Sequence, residues 1–209
     1  MFIGHYGIGF ILKKKFREIP LWVYFACLQL TDILSFILVL AGIERASYRE
    51  SANPFFRNDL YLPYSHSLAG AIALSAAAYV FFIAVRRRSW ALIAALCVLS
   101  HWFIDLIVHT PDLSLFFGYC QVGLGLWNCP YVSFGIEIAF TVGGWLVLGY
   151  RNVWSFVLLF ALIGSLTGMV FGSEPAMFRN SQSLRTLLVL GSNLIFIALA
   201  WCAERRERA

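Results

Sequence analysis

The chain has 209 residues, of which 60% are hydrophobic and 13% are charged, and its mean hydropathy is +0.76. Soluble domains contain about 45–50% apolar and about 25% charged residues, so this composition excludes an ordinary soluble domain. The formal net charge is +5, which loops facing anionic lipid explain without a nucleic-acid partner.

The first predicted element is a short apolar segment, residues 1–12, followed by the basic cluster 13–15. We expect no cleavable signal peptide, because a signal peptide has its charges before its apolar region. A helical or re-entrant segment rising about 1.5 Å per residue would lift His5 roughly 12 Å above Lys13, near the middle of a membrane. The alternative is an amphipathic surface segment in which His5 has no function.

Six apolar runs of near bilayer-spanning length come next. They are 20–43, 68–85, 89–108, 132–149, 153–172 and 186–203. We therefore predict an all-α fold, a polytopic membrane bundle of about six transmembrane helices in one domain, 1–209. The functional site should lie mainly in 1–150, and 151–203 should supply packing helices.

The distribution of basic residues predicts the orientation of this bundle. With the N-terminus in the cytoplasm, eleven of the 16 Lys and Arg residues fall in cytoplasmic segments and the other five in outer loops. Because cytoplasmic loops are enriched in Lys and Arg, we predict that both termini are cytoplasmic.

Ionisable side chains interrupt the first four runs at similar depth. They are Asp32 in the first run, His66 at the start of the second, His101, Asp105 and His109 in the third, and Glu137 in the fourth. The three residues of the third run are spaced four apart, so they share one face of a helix. An isolated Asp at the bilayer centre costs roughly 3 kcal/mol, and a shared divalent ion would offset several such costs.

A site of imidazoles and carboxylates suits zinc first, with manganese, iron or nickel as alternatives. The metal ligands predicted are His5, Asp32, His66, His101, Asp105 and His109. Asp32 or Glu137 could accept the proton of an attacking water. Taken singly, each residue has a plainer explanation as a buried hydrogen-bonding group that joins helices. His109 could be interfacial, and Glu137 could pair with donors at a helix end.

Four motifs carry a resemblance to a known family. The segments MFIGHYGIGFILKK, PYSHSL, SHWFIDLIVHTPDLSL and GLGLWN resemble the YdjM-like family of bacterial membrane-bound metal-dependent hydrolases over about residues 1–150. The order His5, Asp32, His66, His101, Asp105 is also similar to that of zinc-dependent phospholipase C and the related single-strand nucleases.

The resemblance implies a ligand set and a reaction. Asp32, His66, His101 and Asp105 would hold one ion, and Asp105 would bridge to a second ion shared with His5. The His of a later His-x-x-x-Glu pair is replaced here by Ser133, which leaves one or two ions rather than three. The implied protein is a phospholipase C-like hydrolase of the bacterial inner membrane, acting on a lipid or lipid-linked phosphate ester by metal-activated water.

Other functions stay open at the level of sequence. A buried Asp/His set also suits a small ion- or proton-coupled transporter, although no second half mirrors the motif order. A non-catalytic protein with a structural metal is a third interpretation. Gly164, Gly168 and Gly172 permit close helix packing, within the chain or in a homodimer. Cys120 and Cys129 share an outer loop and could pair or remain free thiols.

Overall fold

The computed structural model describes residues 2–173 and 175–208, with only the backbone given for Arg208. Three parts of the sequence predictions therefore fall outside what the structure describes. These are the first residue of the N-terminal segment 1–12, the last residue of the domain 1–209, and the Arg208 side chain counted among the cytoplasmic charges.

The described chain is predominantly α-helical, as predicted, and the long helices coincide with the apolar runs. The helices are α1 (Gly4–Lys15), α2 (Leu21–Leu28), α3 (Leu30–Leu40), α4 (Leu68–Ala84), α5 (Arg88–Val108), α6 (Pro130–Leu148), α7 (Val153–Phe171), α8 (Ala176–Arg179) and α9 (Gln182–Arg208). The first apolar run is divided between α2 and α3, which meet at Gln29 with a bend of 51°.

Local sequence signals account for several helix ends. The Ser67 hydroxyl accepts a hydrogen bond from the Gly70 amide at the start of α4, and the Asn152 side chain does the same for the Ser155 amide in α7. These are the side chains that favour N-cap positions, because their oxygens satisfy amides that lack an intrahelical partner. Gly149 ends α6 with φ +85°, a conformation that glycine adopts without steric cost.

Two short antiparallel hairpins, which the sequence analysis did not predict, lie in the loops. β1 (Arg45–Tyr48) pairs with β2 (Asn58–Tyr61), and β3 (Leu113–Phe116) pairs with β4 (Tyr119–Val122). Cys120 on β4 and Cys129 just before α6 are exposed free cysteines, without a disulfide between them.

Four helices, α5, α6, α7 and α9, are long and apolar enough to cross a membrane, and the bent pair α2–α3 would make a fifth span. The remaining apolar helix, α4, is shorter at 17 residues. These helices indicate a membrane-embedded α-helical protein. The count of six spans is not confirmed and stays a prediction.

The N-terminal helix α1 lies inside the bundle rather than on its surface. His5, Tyr6 and Phe10 are buried in the core, and α1 packs mainly against α6 and α2. Gly7 and Gly144 face each other so closely that a β-carbon at either position would collide with the backbone of the opposite helix. Two glycines at this crossing let α1 approach α6 closely, and this contact sets the position of His5.

Candidate metal centre

Five of the predicted ligands come together in one buried cluster. His5 comes from α1, Asp32 from α3, His66 from the turn before α4, and His101 and Asp105 from α5. Two overlapping groups, His5–His101–Asp105 and Asp32–His66–His101, have ligand atoms within 4.8 Å of one another. Residues separated by up to 100 positions in the chain are thus brought close together, in two groups that could each hold a metal ion.

His101 presents one ring nitrogen to the cluster because the other is occupied by the backbone. Its Nδ1 lies 2.6 Å from the carbonyl oxygen of Leu28. A carbonyl only accepts hydrogen bonds, so Nδ1 is the donor and Nε2 of the neutral ring carries a lone pair. That Nε2 lies 3.1 Å from Asp105 Oδ2 and 3.5 Å from Asp32 Oδ1, without a hydrogen bond of suitable geometry among the described residues.

His66 is oriented by a short chain of polar groups. The Ser65 hydroxyl donates to Glu44 Oε2 at 2.7 Å, so its oxygen accepts from His66 Nδ1 at 2.9 Å. Glu44 is fully buried, and its Oε1 accepts from the amides of Tyr64 and Ser65. The lone pair of His66 Nε2 therefore faces Asp32 Oδ1, 3.1 Å away. Such outer partners fix the tautomer of metal-binding histidines.

His5 completes the cluster from the opposite side. Its ring stacks on that of His101, with centroids 4.0 Å apart and an interplanar angle of 2°. Its Nε2 lies 3.1 Å from Asp105 Oδ1, whereas Asp105 Oδ2 faces His101 at 3.1 Å and His66 at 3.9 Å. The two oxygens of one carboxylate thus face two different sets of histidines, which is the arrangement of a carboxylate able to bridge two ions.

The cluster fits a small divalent cation on two counts. First, tetrahedral bonds of about 2.0–2.1 Å place ligand atoms roughly 3.3 Å apart, and the N···O separations of 3.1, 3.5 and 3.9 Å lie within about 0.6 Å of that value. Second, imidazole lone pairs and carboxylate oxygens face one another here, and an arrangement of electron-rich groups requires protons or a cation between them. Imidazole and carboxylate together are a common donor set for zinc.

The structure places Glu137 away from these ligand groups and gives it a different contact. Its Oε2 accepts from the backbone amides of Phe2, Ile3 and Gly4, at 2.8, 2.7 and 3.3 Å. This is the helix-end pairing that the sequence analysis left open, since Glu137 satisfies amides at the N-terminus of α1. The contact helps to hold His5 in position, and the assignment of Glu137 as a proton acceptor stays a prediction.

His109 also lies outside the two ligand groups. It follows the last residue of α5, and its Nδ1 is 2.9 Å from Asp112 Oδ1. Its ring rests against that of Trp127, with centroids 4.1 Å apart. The prediction that His109 is a metal ligand stays a prediction, and the geometry gives it a carboxylate partner of its own.

A cavity of about 490 Å³ adjoins the cluster. Asp32, His66, Asp105 and His109 line one part of it, and side chains from α3, α7, α9 and the first hairpin form apolar walls. The Asp32 side chain is 25% exposed, compared with 4% for Asp105. Asp32 is therefore the carboxylate of the cluster that a bound molecule would meet most directly.

Arg57, in the loop between β1 and β2, lines the cavity. Its guanidinium donates to the carbonyl of Gly172 at 2.9 Å and to that of Met169 at 3.5 Å, at the end of α7. The last carbonyls of a helix have no intrahelical donor and attract cations. These hydrogen bonds hold the first hairpin against the end of α7, beside the cavity.

Comparisons with known proteins leave this geometry as the main guide to function. No known family model, curated protein or solved structure matches the chain. The resemblance to the YdjM-like family stays a prediction based on motifs.

Sequence reasoning missed the groups that orient the histidines. Ser65 is adjacent to His66 in the motif PYSHSL, which was a usable signal, since a hydroxyl next to a buried ligand can bond its second nitrogen. Glu44 stands just beyond a predicted span and carried only the signal of a carboxylate near the membrane. The carbonyl of Leu28 had no signal, because every residue has one.

Proposed function

We propose that this protein is a membrane-embedded metal-dependent hydrolase. The observation that carries the proposal is the convergence of His5, Asp32, His66, His101 and Asp105 from four parts of the chain, beside a cavity whose wall includes Asp32, His66 and Asp105. Each residue taken singly could serve as a hydrogen-bonding group that joins helices, but a metal centre would offset the cost of burying all five together.

The residues divide between two positions. Asp32, His66, His101 and Asp105 hold one ion, and Asp105 together with His5 provides for a second. Zinc is the first choice, with manganese or iron as alternatives. An ion bound there supplies Lewis-acid activation of water and stabilisation of negative charge on the attacked group.

The cluster adjoins a cavity with largely apolar walls, so we propose an amphiphilic substrate, a phosphate ester of a lipid or a lipid-linked molecule. Water attacks phosphorus, and Asp32 accepts its proton because it is the exposed carboxylate of the cluster. The phosphorus–oxygen bond to the lipid portion breaks, and the same proton passes to the departing oxygen. We place this chain in a bacterial inner membrane, with six spans and both termini in the cytoplasm.

Metal content and hydrolysis in matched variants test the proposal. Purified wild-type protein should contain one or two equivalents of zinc or another divalent metal by mass spectrometry and should release phosphate or a phosphorylated headgroup from lipid phosphate esters. Asp105→Ala and His101→Ala should lose both properties, whereas Asp59→Asn, on the exposed second strand of the first hairpin, should retain them. Metal-free wild type after supplementation would rule out the proposal, and a metal-loaded protein inactive on these esters would rule out this substrate class.

A further inference from the structure

Gln29 lies at the break between α2 and α3, where the chain turns by 51°. Its backbone amide still bonds to the Phe25 carbonyl, at 3.1 Å. The side chain is 1% exposed, and neither its Oε1 nor its Nε2 has a hydrogen-bond partner among the described residues. It is a buried primary amide whose hydrogen-bonding capacity is unused inside the protein.

An unpartnered amide in this place is expensive. Its donors and acceptor lose their bonds to water on burial, and an apolar side chain of the same volume would avoid that cost. Neither packing nor the helix break requires an amide here, since the break leaves the amide atoms unbonded. The cost is explained if the amide binds a group from outside the chain.

Comparison with a neighbouring residue distinguishes a binding role for Gln29 from simple imperfect packing. The Thr31 hydroxyl is also fully buried and without a partner among the described residues. Gln29, however, lines the 490 Å³ cavity, and Thr31 does not. The two buried polar groups are two residues apart, one at the break and one in the first turn of α3, and only Gln29 is part of the cavity wall.

The cavity wall near Gln29 is polar only in a few places. Tyr6 donates its hydroxyl to Asn193 Oδ1 at 2.6 Å, and both residues line the cavity. Asp32 also lines it and follows Gln29 by three residues, close to one turn of helix or about 5 Å along the axis. Phe36, Val39 and Phe196 are among the apolar lining residues. Gln29 is thus a hydrogen-bonding point between the metal cluster and apolar walls.

We propose that Gln29 is a specificity-determining residue that binds a hydroxyl or amide of the substrate, about one helical turn from the group held at Asp32. A primary amide both donates and accepts, and a hydroxyl or secondary amide matches it on both counts. The inference rests on the proposed function for the identity of the group at the cluster. The substrate is then an amphiphile with a phosphoester, a nearby hydroxyl or amide, and a hydrocarbon portion.

A pair of lipid phosphates that differ by one hydroxyl tests this inference. The probes are a radiolabelled 1-acyl-glycerol 3-phosphate, which has a free 2-hydroxyl, and its 2-deoxy analogue with the same acyl chain. Affinity is measured in detergent on the full chain, from the KM of cleavage where the zinc-loaded protein cleaves the probe and by equilibrium binding where it does not. Wild type should bind the hydroxylated probe about three- to tenfold more tightly, the range expected for one neutral hydrogen bond.

Two volume-conserving variants serve as the test and its control. Gln29→Met should bind both probes equally, whereas Thr31→Val should keep the wild-type preference. Both variants remove an unpartnered buried polar group, so both should unfold at the same temperature as wild type or higher, which separates specificity from folding. A preference retained in Gln29→Met, a wild type without preference, or a wild type that binds neither probe would overturn the inference.

The same experiment separates this inference from the hydrolase proposal. Loss of the preference in Gln29→Met, in a metal-loaded protein that cleaves no lipid phosphate, would retain Gln29 as a recognition residue and reject hydrolysis. Cleavage of both probes at equal rates and affinities by wild type would retain the hydrolase proposal and reject Gln29 as a recognition residue.

Discussion

Two groups of buried ionisable side chains contact α1, and they differ in whether the protein itself completes them. Near the C-terminus of α1, Lys13 Nζ lies 2.7 Å from Glu204 Oε1 and donates to the carbonyls of Arg17 and Ile19. Glu204 Oε2 accepts from the Leu21 amide at 2.6 Å. All three protons of the Lys13 ammonium therefore have acceptors supplied by the chain.

The cluster around His5, near the other end of α1, lacks this completeness. His5 Nε2 and His66 Nε2 each lie at hydrogen-bonding distance, 3.1 Å, from a carboxylate oxygen. The Nε2 of His101 and the Nδ1 of His5, however, are buried without hydrogen-bond partners among the described residues. The difference teaches how to distinguish a structural charge from a functional one. Lys13 and Glu204 neutralise each other, whereas the His/Asp cluster has buried ring nitrogens without protein partners among the described residues and could hold an added cation.

The largest expected effect comes from breaking the complete pair. Lys13→Met removes the ammonium that lies 2.7 Å from Glu204 Oε1, and removal of one partner of a buried pair costs about 3–5 kcal/mol. Denaturant unfolding in detergent should show this loss in the free energy of unfolding, with metal content per folded molecule unchanged. Lys14→Met, at the exposed neighbouring position, should change stability little. A loss below about 1 kcal/mol in Lys13→Met would mean that the pair is not a structural element.

The second prediction concerns the incomplete cluster, whose stability should depend on metal. A ligand that binds only the folded state adds about 2.7 kcal/mol at 100 times its Kd and about 4.1 kcal/mol at 1,000 times. Chelation of a wild-type sample held at such zinc concentrations should lower its unfolding free energy by that amount. Asp105→Ala should show no dependence on the chelator. Equal stability of wild type with and without zinc would mean that the His/Asp cluster, like the Lys13–Glu204 pair, needs no added ion.

The sequence predicted the parts of the cluster better than the contacts that complete it. Apolar runs located the long helices, and the four-residue spacing placed His101 and Asp105 on one helix face, because helical periodicity is local. The structure also brings His5, Asp32 and His66 into the cluster. The sequence analysis groups them partly through depth in the membrane and partly through motif order, and their role as ligands stays a prediction.

Contacts between distant segments could not be predicted from these patterns. The bend at Gln29 has no nearby proline or glycine from which it could be predicted. The position of the Glu137 carboxylate depends on the packing of α1 against α6. The close approach of Gly7 and Gly144 shows why: both glycines are ordinary in an apolar helix, and only the fold brings them together.

A smaller effect should follow from removing a group that orients the cluster. Ser65→Ala deletes the hydroxyl that joins His66 to Glu44. Loss of such an outer partner lowers metal affinity by about 10- to 100-fold, which competition with a chelating dye can measure. Ser75→Ala is the matched control, because Ser75 bonds to the Ala95 carbonyl between α4 and α5, away from the ligands. Unchanged zinc affinity in Ser65→Ala would show that the Ser65 hydroxyl is not required to orient the His66 ring.

The smallest expected effect probes the apolar side of the cavity. Gly168 lines the cavity, and a β-carbon added there meets no described atom within 4 Å. A leucine at this position should fill space that a hydrocarbon chain would use. If it displaces two methylenes at about 0.8 kcal/mol each, binding of a long-chain lipid phosphate should weaken by roughly tenfold, whereas an eight-carbon analogue should be little affected.

Gly164→Leu is the control for this variant. Gly164 lies one turn earlier on α7, has the same open space, and is not among the cavity-lining residues, so its leucine should leave binding of both chain lengths unchanged. The comparison also tests the predicted homodimer contact through Gly164, Gly168 and Gly172. A small-residue interface would be disrupted by leucine at either position, and light scattering would then report dissociation in both variants. A change in chain-length preference confined to Gly168→Leu assigns that residue to the cavity, where the hydrocarbon portion of the substrate packs beyond the metal cluster.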